Sequence, residues 1–588
     1  MKTPICAPGV LTVVAVLVTF SLGARAQTAP SPTPVPPVPN PCTPRFAAAS
    51  VIEDPPALFS SHGVLNVRFS YQQTTDSLGD LLHCFMTPDG LQEPTLHVKP
   101  GDTLRITVTN NTPAQPFGEV FNAPNCGDTT VQFPTTSPPL PADAQNPNGI
   151  LSVGSSVNIH YHGTNVTPQC GGDNVTKTLI NSGSTFQYSF TFPLNEPPGL
   201  YWYHPHVHGL AERDLLGGAT GALVVDGIEN VQPAVAGLPQ HLLIVRDQPT
   251  IFGAGNEGPG NCGNGVPFQD VSVNYVPVVS AQQDDGTVTF TPAVLRMRSG
   301  STEFWRVVNS SADSILDLQV MYDGAPQTLQ IVSVDSVPVN SQDGVQPGHL
   351  IPVTRFRVPV AGRVEFLVKA PAPTVKVAQL VTNNINTGPQ GDCNPARPLF
   401  NIRLSPGGTQ LAPSAASLPR FTALDTSRQR FGGAQLTSAN VARTLQFSEV
   451  QPTQFFITVA GQTPVVFDNN NPPAIVTTQG SVEKWTIQNL AQENHEFHMH
   501  QIHFKVLSQD NFEINGSPQA PGINGQFLDM IEVPFWDNVK NPNGPVPDVQ
   551  LLMDFRGMDI GDFVYHCHIL SHEDLGMMAI IRVQKKTQ

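Results

Sequence analysis

A chain of 588 residues is too long for one ordinary domain and calls for three or four. Its 58 Pro, 48 Gly and only 13% charged residues exclude an architecture of long helices and favour short strands joined by many turns. A formal charge of -16 leaves no basic stripe to neutralise phosphates, which excludes nucleic acid as a partner.

Residues 1–26 read as an export signal. Lys2 supplies a small positive region, Val10 to Leu22 is apolar, and Ala24-Arg25-Ala26 makes a small-x-small cleavage site before Gln27. The run is short for a membrane anchor and no second long apolar run follows it. The mature chain is therefore expected to have no membrane span and to be periplasmic or extracellular. Residues 27–44, rich in Pro, Ser and Thr, read as a stiff linker. Cys6 leaves with the signal and Cys567 falls in a ligand motif. That leaves Cys42, Cys84, Cys126, Cys170, Cys262 and Cys393 for up to three disulfides in an oxidising compartment, with the pairing open.

Beyond residue 45 the segments are β-like. Thr103 to Thr109 alternates Leu104, Ile106 and Val108, and Trp305 to Val308 and Val482 to Ile487 are similar. Each belongs to a weak repeat in which a glycine precedes an asparagine by nine residues: Gly101 and Asn110, Gly300 and Asn309, Gly480 and Asn489. A second repeat links Tyr203-His204-Pro205-His206 to Tyr565-His566-Cys567-His568. The economical division is three related β-sandwich units, 45–230, 231–410 and 411–588. The middle one has the strand repeat but no histidine cluster and reads as a spacer. Residues 112–157 are a long Pro-rich insertion before the first histidine pair.

Ten of the 17 His fall in four clusters: His160 and His162; His204 and His206; His495, His498 and His500; His566, His568 and His572. Chance or ordinary core histidines would explain one pair, whereas four clusters point to metal. Cys567, His495, His572 and Met577 form the thiolate, two-imidazole and thioether set of a blue electron-transfer copper site. The remaining eight, His160, His162, His204, His206, His498, His500, His566 and His568, are imidazole only. That suits copper holding oxygen species better than a closed structural zinc site. Side chains alternate across a strand, so His566 and His568 face one way and Cys567 the other, and one tripeptide can bind metal on both faces. Pro205 stands where the C-terminal repeat has Cys567, so the first unit cannot build its own thiolate site.

These four motifs, in this order and spacing, resemble those of the three-domain multicopper oxidases, the laccase group, over Cys42 to Val583. The resemblance implies an all-β fold of three cupredoxin-like Greek-key β-sandwich domains. It implies four coppers per chain: one type 1 on His495, Cys567 and His572 with Met577 axial, one type 2 on His160 and His498, and two type 3 on His162, His204, His206, His500, His566 and His568. Met577 is preferred to Met578 because it lies ten residues after Cys567. His208 and His503 fall outside the motif positions and read as supporting residues. Similarity further suggests Glu573 and Asp173 as proton suppliers. The implied activity is one-electron oxidation of a small-molecule reducing substrate, phenolic or aromatic amine, coupled to four-electron reduction of dioxygen to water. The alternative is a metallo-oxidase of cuprous, ferrous or manganous ions, toward which Glu493, Glu496 and Asp574 could draw cations. A copper nitrite reductase would lack paired histidines on both sides of the cysteine, and a metal-free structural relative would have lost ligands that are all present here. Five sequons, at Asn110, Asn165, Asn174, Asn309 and Asn515, matter only in a glycosylating host.

Overall fold

The computed structural model describes Cys42, residues 45–114, 120–121, Cys126, 150–151, 154–248, Cys262, 265–342, 348–405, 430–431, 439–451, 453–512, 522–540, 542–557 and 559–586. The export signal, most of the linker and most of the 112–157 insertion lie outside these residues. The described residues are 48% strand and 4% helix. Among the described residues no helix is long and apolar enough to cross a membrane.

Three pairs of sheets follow one another along the chain. The first pairs a four-stranded sheet (Leu81–Met86, Val64–Thr75, Thr103–Asn110, Thr185–Thr191) with a five-stranded one (Ala57–Phe59, Thr95–Val98, Gly221–Val225, Gly199–His204, His160–His162). The second pairs nine- and six-stranded sheets from Gln240 to Ser405, and the third pairs six- and five-stranded sheets from Val441 to Gln584. These are cupredoxin-like sandwiches.

Binary patterning explains most strands. Thr185–Thr191 buries every second residue, one face on the core and one in water. Thr302–Asn309 departs from the expected alternation, being buried at every position after Thr302, because both its faces are covered. Gly199–His204 is buried throughout for the same reason. Leu200 and Trp202 leave the first sandwich and pack with Ile244, Val308, Met530 and Leu570, joining all three regions in one apolar cluster.

The glycine–asparagine repeat is a structural device. Gly101, Gly300 and Gly480 have φ of 88°, 73° and 95°, which side-chain-bearing residues rarely adopt. Nine residues on, each asparagine is fully buried and its amide donates to loop carbonyls. Asn110 reaches Ser155 and Ile180, Asn309 reaches Ser314 and Pro359, and Asn489 reaches Glu493 and Val533. The first and last bonds pin the loops that carry the His160 and His495 strands. Asn110, Asn165, Asn174 and Asn309 are all at most 8% exposed, so these sequons are closed to glycosylation in the folded chain. Asn515 lies outside the described residues. Three disulfides form, Cys42–Cys84, Cys126–Cys170 and Cys262–Cys393, and among the described residues Cys567 alone is a free thiol.

Candidate metal centre

Strand pairing brings the histidine clusters together. His160–His162 runs antiparallel to Gly199–His204, with His160 opposite His204. In the third sandwich His495–Met499 runs antiparallel to Gly561–Cys567, with His498 opposite His566 and Phe497 opposite Cys567. The two strand pairs converge, and all eight imidazole-only histidines become at most 2% exposed.

Several rings are oriented by a bond at one nitrogen. His160 Nδ1 lies 2.9 Å from the Asp173 carboxylate. The Nδ1 of His204 donates to the Pro205 carbonyl at 2.8 Å, that of His566 to the Cys567 carbonyl at 2.8 Å, and that of His498 to the Asp529 carbonyl at 2.9 Å. A neutral imidazole that donates at Nδ1 presents a lone pair at Nε2. The Nε2 atoms of His160, His204 and His498 are buried without a hydrogen-bond partner, as are Nδ1 of His162 and both ring nitrogens of His568. His566 Nε2 lies 3.2 Å from Nε2 of both His206 and His500, a convergence of lone pairs that a cation between them would relieve. Burial pushes these imidazoles well below their ordinary pKa and each neighbouring ring pushes further, so they stay neutral, the form that binds metal.

Across the strand, Cys567 Sγ lies 3.7 Å from His495 Nδ1 and 3.8 Å from His572 Nδ1, and the two nitrogens are 3.1 Å apart. A soft thiolate between two imidazoles fits a blue copper site and is too poor in thiolate for a structural zinc site. Burial raises the Cys567 thiol well above its ordinary range, so a bound metal is what would hold it as thiolate. The Met577 backbone brackets the site, its N–H donating to His572 and its carbonyl accepting from Cys567. Met577 belongs to the core cluster that contains Cys567 and Phe497, whereas Met578 packs with Val175, Phe467 and Ile580.

Asp173 also accepts from the Tyr161 N–H at 3.1 Å and from Gln501 Nε2 at 2.5 Å, and burial raises its carboxyl to about 7. Glu573 is fully buried, both its oxygens lack a hydrogen-bond partner, and Oε1 is 3.9 Å from His206 Nδ1. Burial, reinforced by Asp574, raises its carboxyl well above the usual carboxylate range. His208 stays outside the cluster, its ring against Phe467, while His503 is buried 3.3 Å from Asp529. Glu496 is buried facing Glu532 across the strand pair.

Several residues were missed from sequence. Asp529 is fully buried, 3.2 Å from His162 Nε2, and is gripped by both terminal nitrogens of Arg363. Burial opposes its charge, but Arg363 and His503 hold the carboxyl well below its usual range. A lone acid in the apolar run Phe527-Leu528-Asp529-Met530-Ile531 was the available signal, since buried charges require partners. Near His572, Glu493, which the sequence did single out, has Oε1 3.4 Å from its Nε2, and Glu449, which it did not, is 3.6 Å from His495 Nε2. Asp313 accepts from the N–H and Oγ of Ser571, the residue before His572.

Family models described as multicopper oxidase match residues 150–230 and 437–587, the two stretches that hold all the clustered histidines. A rice protein, multicopper oxidase LPR1 homolog 3 of Oryza sativa subsp. japonica, is 24% identical over 510 residues, covering 75% of this chain and 87% of its own. A laccase of Bacillus subtilis is 21% identical over 535 residues, 86% of this chain and 93% of its own. Among solved structures, a variant of the McoA multicopper oxidase of Aquifex aeolicus superposes with a TM-score of 0.63 at 18% identity, covering 91% of this chain and all of the other. A Campylobacter jejuni multicopper oxidase, described as a metallo-oxidase, superposes with a TM-score of 0.61 at 19% identity, covering 92% and 96%. Motifs, fold and relatives agree: the chain carries two multicopper oxidase regions, at residues 150–230 and 437–587, and is similar over most of its length to multicopper oxidases.

Proposed function

We propose that this protein takes electrons one at a time at a type 1 copper held by His495, Cys567, His572 and Met577, and passes four of them to dioxygen at a trinuclear centre. His160 and His498 are assigned to type 2 copper. His162, His204, His206, His500, His566 and His568 are assigned to the type 3 pair. The observation that carries the reading is the junction at residues 566–568, where the Cys567 sulfur faces two imidazoles on one side of a strand and its flanking histidines join the eight-histidine cluster on the other. Bound copper supplies the one-electron chemistry at the thiolate site and the oxygen chemistry at the cluster. The chain supplies the wiring, since Cys567 is bonded directly to both histidines and its carbonyl also accepts from His566 Nδ1. It also supplies protons: Glu573 holds one beside His206, and Asp173 holds one beside His160 while orienting that ring. On this reading units 45–230 and 411–588 carry the ligands, unit 231–410 carries none, and the three disulfides fit an exported protein.

For the substrate, the phenol or aromatic amine expected of a laccase has the support of similarity to the Bacillus enzyme. The geometry beside His572 favours a small reducing metal cation instead. His572 is only 6% exposed, covered by the stacked ring of Phe455 and by Glu493. Asp313, joined through Ser571 to His572, has its carboxyl raised well above the usual range by burial and by the neighbouring acids Glu212, Asp392 and Asp247. Asp313 Oδ2 and Asp247 Oδ1 are buried without a hydrogen-bond partner, an arrangement costly unless protons or a cation neutralise it. Steady-state rates with ferrous ion, cuprous ion and a phenol on fully copper-loaded protein test both readings. Four coppers per chain with faster metal-ion oxidation support them. A copper-loaded enzyme that turns over only the phenol returns the laccase reading, and a chain that binds no copper removes both.

A further inference from the structure

The middle sandwich brings no clustered histidine, yet one of its buried charges, Arg363, grips the acid that touches histidines of the other two. Arg363 is 1% exposed and uses its donors in several directions. Its terminal nitrogens grip Asp529 as a fork, and Nη1 lies 2.7 Å from Asp529 Oδ1. It also donates to the Ala361 carbonyl at 3.1 Å and to Ser336 Oγ at 3.1 Å. Asp335 closes the loop: Oδ1 accepts from the Arg363 N–H at 2.9 Å, Oδ2 from the Met530 N–H at 3.1 Å, and its carbonyl lies 2.9 Å from His503 Nε2. Asp529 then touches two ligands at once. Its carboxylate is 3.2 Å from His162 Nε2, which leaves His162 Nδ1 free, and its carbonyl accepts from His498 Nδ1, which leaves His498 Nε2 free.

We propose that Arg363 is a positioning residue for the trinuclear centre, fixing through Asp529 which nitrogens of His162 and His498 face the metal and at what angle. The proposal rests on the assignment of these two histidines as copper ligands. Simple stabilisation is a poor account of the pair, because burying two charges costs about what their attraction returns. A planar five-donor fork, by contrast, sets direction in a way that an ammonium cannot. The first sandwich leaves room for it: a Cβ on Gly163, next to His162, would come within 2.6 Å of Asp529 Oδ2 and closer still to Arg363 Nη2.

The test uses full-length copper-loaded protein as wild type, Arg363→Lys and Gly163→Ala, read by copper per chain, the type 2 paramagnetic resonance signal, the blue absorption and thermal unfolding. Both variants should keep the blue absorption, lose type 2 copper affinity by about 10–100-fold and show an altered type 2 signal in the copper that remains. Wild-type affinity and signal in either folded variant overturns the inference. So does a parallel loss of blue absorption and type 2 copper, which marks a merely structural role. If Arg363→Lys fails to fold, Gly163→Ala, which crowds the fork and also strains the backbone at φ 82°, overturns the inference by keeping wild-type affinity and signal, and supports it only by changing the type 2 signal with the blue absorption intact. A wild-type protein without type 2 copper would instead refute the ligand assignment beneath the inference.

Discussion

Tyr203-His204-Pro205-His206 and Tyr565-His566-Cys567-His568 are the same device built twice. In both, a histidine at or next to the end of a strand donates from Nδ1 to the carbonyl of the following residue at 2.8 Å. In both, a short helix follows, Ala211–Leu216 in one and Leu570–Asp574 in the other. The difference lies on the far face. Pro205 offers no donor there, whereas Cys567 Sγ meets His495 and His572. On the proposed reading, the cysteine and the partners it meets, His495 and His572, are what would let the second copy deliver electrons as well as hold metal; Leu210 stands in the first copy where His572 stands in the second.

The sharpest way to break that comparison is to make the second copy resemble the first. Cys567→Ser should abolish the intense blue absorption and the oxidase activity, because both depend on the thiolate. Burying a hydroxyl there costs about 1–3 kcal/mol, a fraction of an ordinary stability of about 5–15 kcal/mol, so the protein should remain folded. Absorption spectroscopy and turnover on the folded variant check this, and a blue, active protein would sink the assignment.

The next test separates electron delivery from oxygen chemistry. Glu573 lies beside His206 of the first copy, and Gln cannot donate its proton. Glu573→Gln should leave anaerobic reduction of the blue copper nearly unchanged and slow reoxidation of the reduced enzyme by about 10²–10⁴-fold. Stopped-flow traces of the two half-reactions measure each. Reoxidation at the wild-type rate would reassign Glu573 to packing and leave Asp173 as the proton source.

A smaller effect addresses what feeds the thiolate copy. If the acids beside Ser571 receive a metal cation, Asp313→Asn should raise the KM for ferrous ion by about 10–100-fold, the loss of one bond to a charged group worth about 1.5–3 kcal/mol. A phenol should be oxidised as before. Equal effects on both substrates would mean that Asp313 acts on His572 and not on the substrate.

How much of this could be read from the chain depends on range. His160, His162, His566 and His568 were legible because strand alternation is local and metal ligands must cluster. The sandwich count was legible because the glycine–asparagine latch recurs at fixed spacing. Arg363 and Asp529 were not, because they are 166 residues apart and their partnership arises only where all three sandwiches meet. The acids Glu212, Asp247, Asp313 and Asp392 escaped for the same reason: each looks like an ordinary polar residue until folding buries it beside the others. Reading the middle region as a spacer rested on its lack of clustered histidines, and nothing local in the sequence singled out Arg363.

The mildest test leaves the thiolate copy intact and adjusts it. Met577 and Met578 are adjacent, yet their side chains enter different clusters, and Met577 shares the one containing Cys567. A thioether is a weak donor that stabilises oxidised copper more than reduced copper, so its loss should favour the reduced form. Met577→Leu nearly conserves volume in a buried position, so packing should change little. The variant should stay blue while the type 1 potential rises by roughly 60–120 mV, one to two factors of ten at about 59 mV each. A redox titration that returns the wild-type potential would move the axial role away from Met577. A colourless product would mean that this residue holds the site together and does not merely tune it. Met578→Leu, whose side chain packs against Val175 and Phe467, is the matched control and should leave the potential where it was.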